Sequence, residues 1–290
     1  MQDLRIHVEG IELQIREYKR EGDAIIFLHF GGGNLMMWQR AVPYFQADYR
    51  LILVDLRGHG KSDKPQTGYH IDEMARDVVG VMEHLELERA HVVGSSLGAE
   101  VGLSMAANYP ENMLSLACEG ALYSEYGPCG IWEGSEEAFK EHVADSLERV
   151  QNSAGPVFAS VDALMDANQQ KFEKYGLWNE YFEAVKRYDV YQIDEGKYTY
   201  GWSKPAAQDY MEHYYAYRFE DYYKRVKCPI LMLPDKNLLP SEKIAMEKLS
   251  QLARQVKIVY VPGWTHPYGW LLDPEEMSKT VLEFLSEVRN

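Results

Sequence analysis

The sequence predicts an α/β fold: a mostly parallel, doubly wound sheet that carries a mainly helical insertion. Three observations lead there. Short apolar runs of strand length alternate with helical stretches up to about residue 120, and the same alternation resumes after residue 223. Between them, residues 124–222 break the rhythm and hold 12 of the 21 tyrosines and three of the six tryptophans. Alternating strands and helices build parallel sheets covered on both faces.

The elements follow in order. Leu4–Glu9 and Ile11–Glu17 read as a hairpin about Gly10. Ala24–Leu28 is a continuous apolar run, as expected of a strand buried on both faces. A helical stretch over Leu35–Phe45, interrupted by Pro43, precedes the strand Arg50–Val54. After the loop Asp55–Gly68 come helix Ile71–Leu85, strand Ala90–Val93, helix Leu97–Asn108, which stops before Pro110, and strand Met113–Cys118. The insertion includes amphipathic stretches such as Glu136–Gln151 and Val161–Tyr175. Strand Pro229–Leu233, helix Ser241–Leu252, strand Val256–Val261 and helix Pro274–Val288 close the chain.

Composition narrows the function. At 290 residues, 46% apolar and 26% charged, the chain reads as a soluble globular protein. No apolar run approaches the roughly 18–20 residues that span a bilayer, and the N-terminus lacks a signal-peptide core. Cys118, Cys129 and Cys228 form an odd set without CxxC spacing, which argues against disulfides and structural zinc and for a reducing, cytoplasmic setting. The formal charge is −15, and the densest basic cluster is only Lys224-Arg225-Val226-Lys227, so neither nucleic acid nor an anionic membrane is an expected partner. Residues 124–222 hold 19 acidic against 9 basic residues, a solvated surface that could also filter out anionic substrates. The oligomeric state is left open.

Four motifs carry chemistry. Gly94-Ser95-Ser96-Leu97-Gly98 lies between a strand and a helix. Small flanking residues there let Ser96 project from a tight elbow, with the helix N-terminus beneath the reacting carbonyl. Upstream, His29-Phe30-Gly31-Gly32 offers backbone N–H groups for an oxyanion, assigned to Gly31 and to Leu97, with Gly32 a close competitor for Gly31. Asp55-Leu56-Arg57-Gly58-His59-Gly60-Lys61-Ser62 is a polar loop in which His59, like His29, reads as structural. Pro262-Gly263-Trp264-Thr265-His266 follows the last strand.

Together these motifs resemble the α/β-hydrolase fold superfamily over essentially the whole chain. The resemblance implies a core of residues 1–123 and 223–290 and a helical cap, or lid, at 124–222. It implies Ser96 as nucleophile and His266 as the base that takes its proton and returns it to the leaving group.

The acid departs from the common pattern. The usual G-x-x-D segment matches Leu233-Pro234-Asp235-Lys236-Asn237, with Asn237 at or near the acid position. Asparagine cannot stabilise an imidazolium as a carboxylate does, and such a change costs on the order of 10⁴ in turnover in serine proteases. Glu119, directly after strand Met113–Cys118, is the leading candidate, because some members of the fold place their acid after that strand. Asp235 and the absence of any ionised acid are the other two readings.

A serine at the elbow implies an acyl-enzyme that water hydrolyses. The expected activity is that of a carboxylesterase-like serine hydrolase on small or medium neutral esters. C–C bond hydrolysis or lactone opening on the same groups is the enzymatic alternative. A ligand- or partner-binding protein with little turnover is the alternative from another class. Tyr123, Tyr126 and Trp132, close in sequence to Glu119, are expected to line the substrate pocket. No cofactor and no metal site is implied.

Overall fold

The computed structural model describes residues 1–153, 155–263 and 266–289, with Arg289 described by its main chain only. Trp264 and Thr265 of the late Gly-Trp-Thr-His motif lie outside the described residues. Along the chain the strands are β1 (Gln2–Val8), β2 (Ile11–Tyr18), β3 (Ala24–Leu28), β4 (Arg50–Val54), β5 (Ala90–Ser95) and β6 (Met113–Glu119), then β7 (Tyr191–Asp194) and β8 (Lys197–Thr199), and finally β9 (Ile230–Met232) and β10 (Val256–Ile258). The main sheet runs in the order β1-β2-β4-β3-β5-β6-β9-β10. β2 pairs antiparallel with both β1 and β4, and every pairing from β4 to β10 is parallel.

Side-chain alternation splits the core into two layers. Ile26, Leu28, Ile52, Val54, Val92 and Leu116 face one side of the sheet; Ile25, Phe27, Leu51, Leu53, Val93 and Ala117 face the other. The first layer packs against α2 (after α1, Val42–Phe45), which spans Ile71–His84, and against α3 (Leu97–Asn108). α2 buries Ile71, Met74, Ala75, Val78, Val79, Val81 and Met82, the three-to-four spacing of a helix with one apolar face. α3 is buried nearly all round, and at Gly98 a Cβ would run into the Leu28 carbonyl, so only glycine lets this helix sit so close to β3.

Residues 124–222 are not wholly helical. They hold α4 (Glu136–Asn152), α5 (Val161–Glu173), α6 (Glu180–Tyr188), α7 (Lys204–Tyr214) and most of α8 (Phe219–Tyr223), but also the antiparallel hairpin β7–β8. The alternation Tyr191-Gln192-Ile193-Asp194 before a turn containing Gly196 (φ +65°) is a strand signal that the expectation of a mainly helical insertion passed over. Ser135, Ser160, Asn179 and Ser203 cap α4, α5, α6 and α7, each accepting a first-turn N–H, an arrangement worth about 1 kcal/mol per cap. The chain then adds Met246 and Leu249 of α9 (Pro240–Ser250) to the first layer and completes the second through α10 (Gly269–Leu272) and α11 (Pro274–Arg289), whose Trp270, Met277, Val281 and Leu285 pack with Trp38 and Phe45. Most ends lie within two residues of expectation, and two elements differ by more. Leu35–Phe45 divides into a 3₁₀ turn at Leu35–Trp38 and α1, and the last strand ends at Ile258.

The insertion is stitched to the sheet by polar groups. Asn34 Nδ2 donates to the Val185 carbonyl (3.0 Å), and Tyr188 Oη donates to Asp55 Oδ2 (2.9 Å). Asp209 accepts the N–H groups of Gly68 (3.0 Å) and Tyr69 (2.7 Å). The loop after β4 is anchored from below: buried Arg57 donates to both Asp77 oxygens, at 2.5 and 2.6 Å, and to the Gly68 carbonyl at 2.8 Å. Removing one partner strands the other's charge in a dry site. Asp77→Ala is therefore expected to cost about 3 kcal/mol of stability, read as a lower urea midpoint with the slope unchanged.

Candidate active site

Ser96 sits at the turn from β5 into α3 with φ +50° and ψ −117°, a conformation that a non-glycine residue holds only where its surroundings impose it. Those surroundings are visible. Its N–H donates to the Glu119 carbonyl (2.5 Å), and its own carbonyl accepts from Ala99 and Glu100, at 2.8 and 3.0 Å. A Cβ on Gly120 (φ +122°) would come within 2.7 Å of Ser96 Cα, so the residue after Glu119 must be small and left-handed for the elbow to fit.

Glu119 ends β6 and pairs in register with Ser95 at the end of β5. Its side chain is 1% exposed, and its two oxygens are divided. Oε2 accepts from Ser95 Oγ, and Oε1 meets His266 Nδ1. Ser95 is the site residue that the sequence reading missed. No local signal marks it: its hydroxyl meets the carboxylate only because β6 lies beside β5.

Asp235 and Asn237 take other roles. Asp235 Oδ2 accepts the backbone N–H of His266 (2.9 Å) and Oδ1 that of Asn237 (2.7 Å), so Asp235 holds the histidine's main chain rather than its ring. Burial draws the imidazolium's pKa down, but the hydrogen bond and charge of Glu119, with the charge of Asp235, outweigh it and raise His266 above its ordinary value. The His266 side chain remains 38% exposed.

Ser96, Glu119 and His266 line one cavity of about 380 Å³, together with Tyr123, Asp235 and Asn237. Tyr126 and Trp132 do not reach it, which corrects the expectation drawn from their nearness to Glu119 in sequence. Tyr126 stacks on Phe139 at 4.8 Å, and Trp132 packs on Phe139 and His142 at 5.4 and 5.1 Å. The turn Gly127–Gly130 sends the chain away from the cavity, into the aromatic side of α4.

Leu97 opens α3, and its N–H belongs to the first helical turn, where the helix itself supplies no acceptor. Gly31 and Gly32 lie under the Trp202 indole: a Cβ on Gly31 would penetrate that ring, and one on Gly32 would meet Nε1 at 3.0 Å. Neither Leu97 nor Gly31 is in the wall of the 380 Å³ cavity. The histidines nearby are packed and neutral. His29 Nδ1 donates to the Phe30 carbonyl (2.8 Å) and Nε2 accepts from Leu56 N–H (3.0 Å), and burial pulls its pKa to about 4. Burial takes His59 well below the ordinary value too; Nδ1 donates to the Arg57 carbonyl, and the ring rests against Trp202 at 4.7 Å. Asp55 joins these parts, accepting the N–H groups of Leu35 (2.7 Å) and Lys61 (2.9 Å) besides Tyr188, while burial pushes its pKa up to about 6. Among the described residues no group of three or more His, Cys, Asp or Glu side chains could hold a metal ion.

Comparison with known proteins gives the family. A profile described as the alpha/beta hydrolase fold matches residues 23–267. The chain is 26% identical over 282 residues to 2-(acetamidomethylene)succinate hydrolase of Mesorhizobium japonicum, covering 97% of this chain and 94% of that protein. It is 35% identical over 118 residues to 3-oxoadipate enol-lactonase 2 of Acinetobacter baylyi, a match to 41% of this chain and 44% of the relative's length. Among solved structures, one of E-2-(acetamidomethylene)succinate hydrolase superposes with a TM-score of 0.76 at 25% identity, covering 98% of this chain and 99% of that one.

The electrostatics can be checked on the imidazole itself. An NMR titration of His266 is expected to give a midpoint above 6.5, and Glu119→Gln is expected to lower it, because desolvation persists when the carboxylate's pull is removed.

Proposed function

The chain belongs to the alpha/beta hydrolase fold family and is a hydrolase, and from that premise we propose that it is a serine hydrolase cleaving small or medium carboxylic esters through an acyl-enzyme. One observation carries the reading. A buried carboxylate, Glu119, engages His266 Nδ1 in the same cavity that holds Ser96 at its elbow, so that Nε2 is the ring nitrogen left to act on Ser96.

In this reading Nε2 takes the Ser96 proton as Oγ attacks the ester carbonyl, and Glu119 stabilises the imidazolium that forms. The Leu97 N–H and that of Gly31 or Gly32 receive the developing oxyanion, with the Trp202 indole shielding the glycines from water. His266 then protonates the departing alcohol. Water, deprotonated by the same imidazole, hydrolyses the acyl-enzyme.

Residues 124–222 serve in this proposal as a cap on a core of residues 1–123 and 223–290. Free thiols at Cys118, Cys129 and Cys228 suit a reducing, cytoplasmic setting. Lactone opening is the second reading, favoured by the enol-lactonase relative, since a cyclic ester needs the same nucleophile, base and oxyanion donors.

The test is p-nitrophenyl ester turnover across acyl lengths, together with fluorophosphonate labelling. Wild type should turn over and be labelled at Ser96, while Ser96→Ala should lose both. Glu119→Gln should lower kcat by about 10³–10⁴, and Asn237→Ala by less than about tenfold. The reverse ranking would remove Glu119 from the mechanism. Stoichiometric ligand binding without turnover or labelling would favour a binding protein.

The acid limb of kcat/KM follows from His266. Only the neutral imidazole accepts the Ser96 proton, so activity should rise with pH through a midpoint above 6.5.

A further inference from the structure

The cavity around Ser96 has an uneven charge. Glu100, Glu119, Asp235 and Glu242 all contribute to its wall, and no Lys or Arg does. Lys236 and Lys243, their neighbours in sequence, are exposed and outside it. A fifth carboxylate, Glu125, stands behind the wall and accepts from Tyr214 Oη at 2.5 Å.

These carboxylates differ in how far they are compensated. Glu119 is engaged by His266 and Ser95, and Asp235 by two backbone N–H groups. Glu242 accepts from Tyr123 Oη (2.8 Å) and, capping α9, from Leu239 N–H (2.6 Å), both neutral donors. Glu100, one helical turn beyond Ser96, is 5% exposed. Its Oε2 accepts from Tyr210 Oη (2.8 Å), whereas Oε1 has no donor among the described residues. Burial pushes the Glu100 pKa up to about 7, the cost of a carboxylate with no cation beside it. Tyr123, Tyr214 and Phe219 supply aromatic surface to the same wall.

We infer that the cavity accepts esters bearing a fixed positive charge, an alkylammonium group held against the Glu100 and Glu242 carboxylates and the rings of Tyr123 and Tyr214. The inference rests on the serine-hydrolase reading for its chemistry and narrows its substrate. A cation gains from carboxylates in a partly desolvated site and from aromatic faces, and the same wall repels an anion. Proximity to the cation also favours the ionised form of Glu100.

The experiment compares three esters of one acyl group: the choline ester, its neutral isostere the 3,3-dimethylbutyl ester, and an anionic carboxypropyl ester. The choline ester should have a kcat/KM at least about tenfold above the neutral isostere, equivalent to ~1.4 kcal/mol, with the anionic ester slowest. The double variant Glu100→Gln/Glu242→Gln keeps acceptors for Tyr210, Tyr123 and the α9 cap, and should bring the choline-to-isostere ratio toward one. An equal or inverted ratio in wild type overturns the proposal.

Calorimetric titration with choline and with 3,3-dimethylbutanol separates this result from the hydrolase reading. If no ester turns over, tighter binding of choline that the double variant abolishes still upholds the charge preference. Equal binding of the two refutes it.

Discussion

The pairing of β5 with β6 places Ser95 opposite Glu119, and the site is assembled around that one rung of the ladder. The Glu119 carbonyl holds the Ser96 N–H, and so helps impose the elbow's left-handed backbone. Its carboxylate joins Ser95 to His266, which arrives from the loop after β10. A shift of one residue in register would turn the Glu119 side chain to the other face of the sheet and separate all three groups. The five paired rungs of β3 and β4, four of them apolar on both strands, and the close seat of α3 on β3 at Gly98, make such a shift costly because the whole two-layer core would invert with it.

A second constraint ties this elbow to the insertion. Asp55, at the end of β4, draws together the turn at Leu35, the loop at Lys61 and the Tyr188 hydroxyl of α6. Trp202 rests on Gly31 and Gly32 from the same side. The insertion's tyrosines therefore act as amphipathic fasteners, burying rings while their hydroxyls reach Asp55, Glu100 and the Ile71 N–H of the core. Their abundance in residues 124–222 reflects attachment as much as substrate contact, which explains why Tyr126 and Trp132 pack on Phe139 instead of lining the cavity.

Much of the fold was legible because local pattern and global fold agree here. The apolar runs of β3 and β4 were readable to the residue, and α3 was bounded by its elbow and by Pro110. The β7–β8 hairpin was passed over, since its alternation spans only four residues before the turn and lies within acidic helical sequence. Ser96, Glu119 and His266 were legible as candidates from residue type and from their place after strands. Ser95 was not, because a serine beside a serine carries no signal until the neighbouring strand is laid next to it.

By itself the sequence determined the order of strands and helices, the elbow with Ser96 at its centre and the absence of a carboxylate at position 237, since these are properties of residue type and local spacing. Tertiary structure alone decided which carboxylate meets the His266 ring and which meets its backbone, because Glu119 ends β6 while Asp235 follows the neighbouring parallel strand β9, and only their placement in space ranks them. It also decided that four carboxylates and, among the described residues, no Lys or Arg share one wall, a consequence of α3 and β6 meeting the loop after β9 and α9, which lie more than a hundred residues further along the chain.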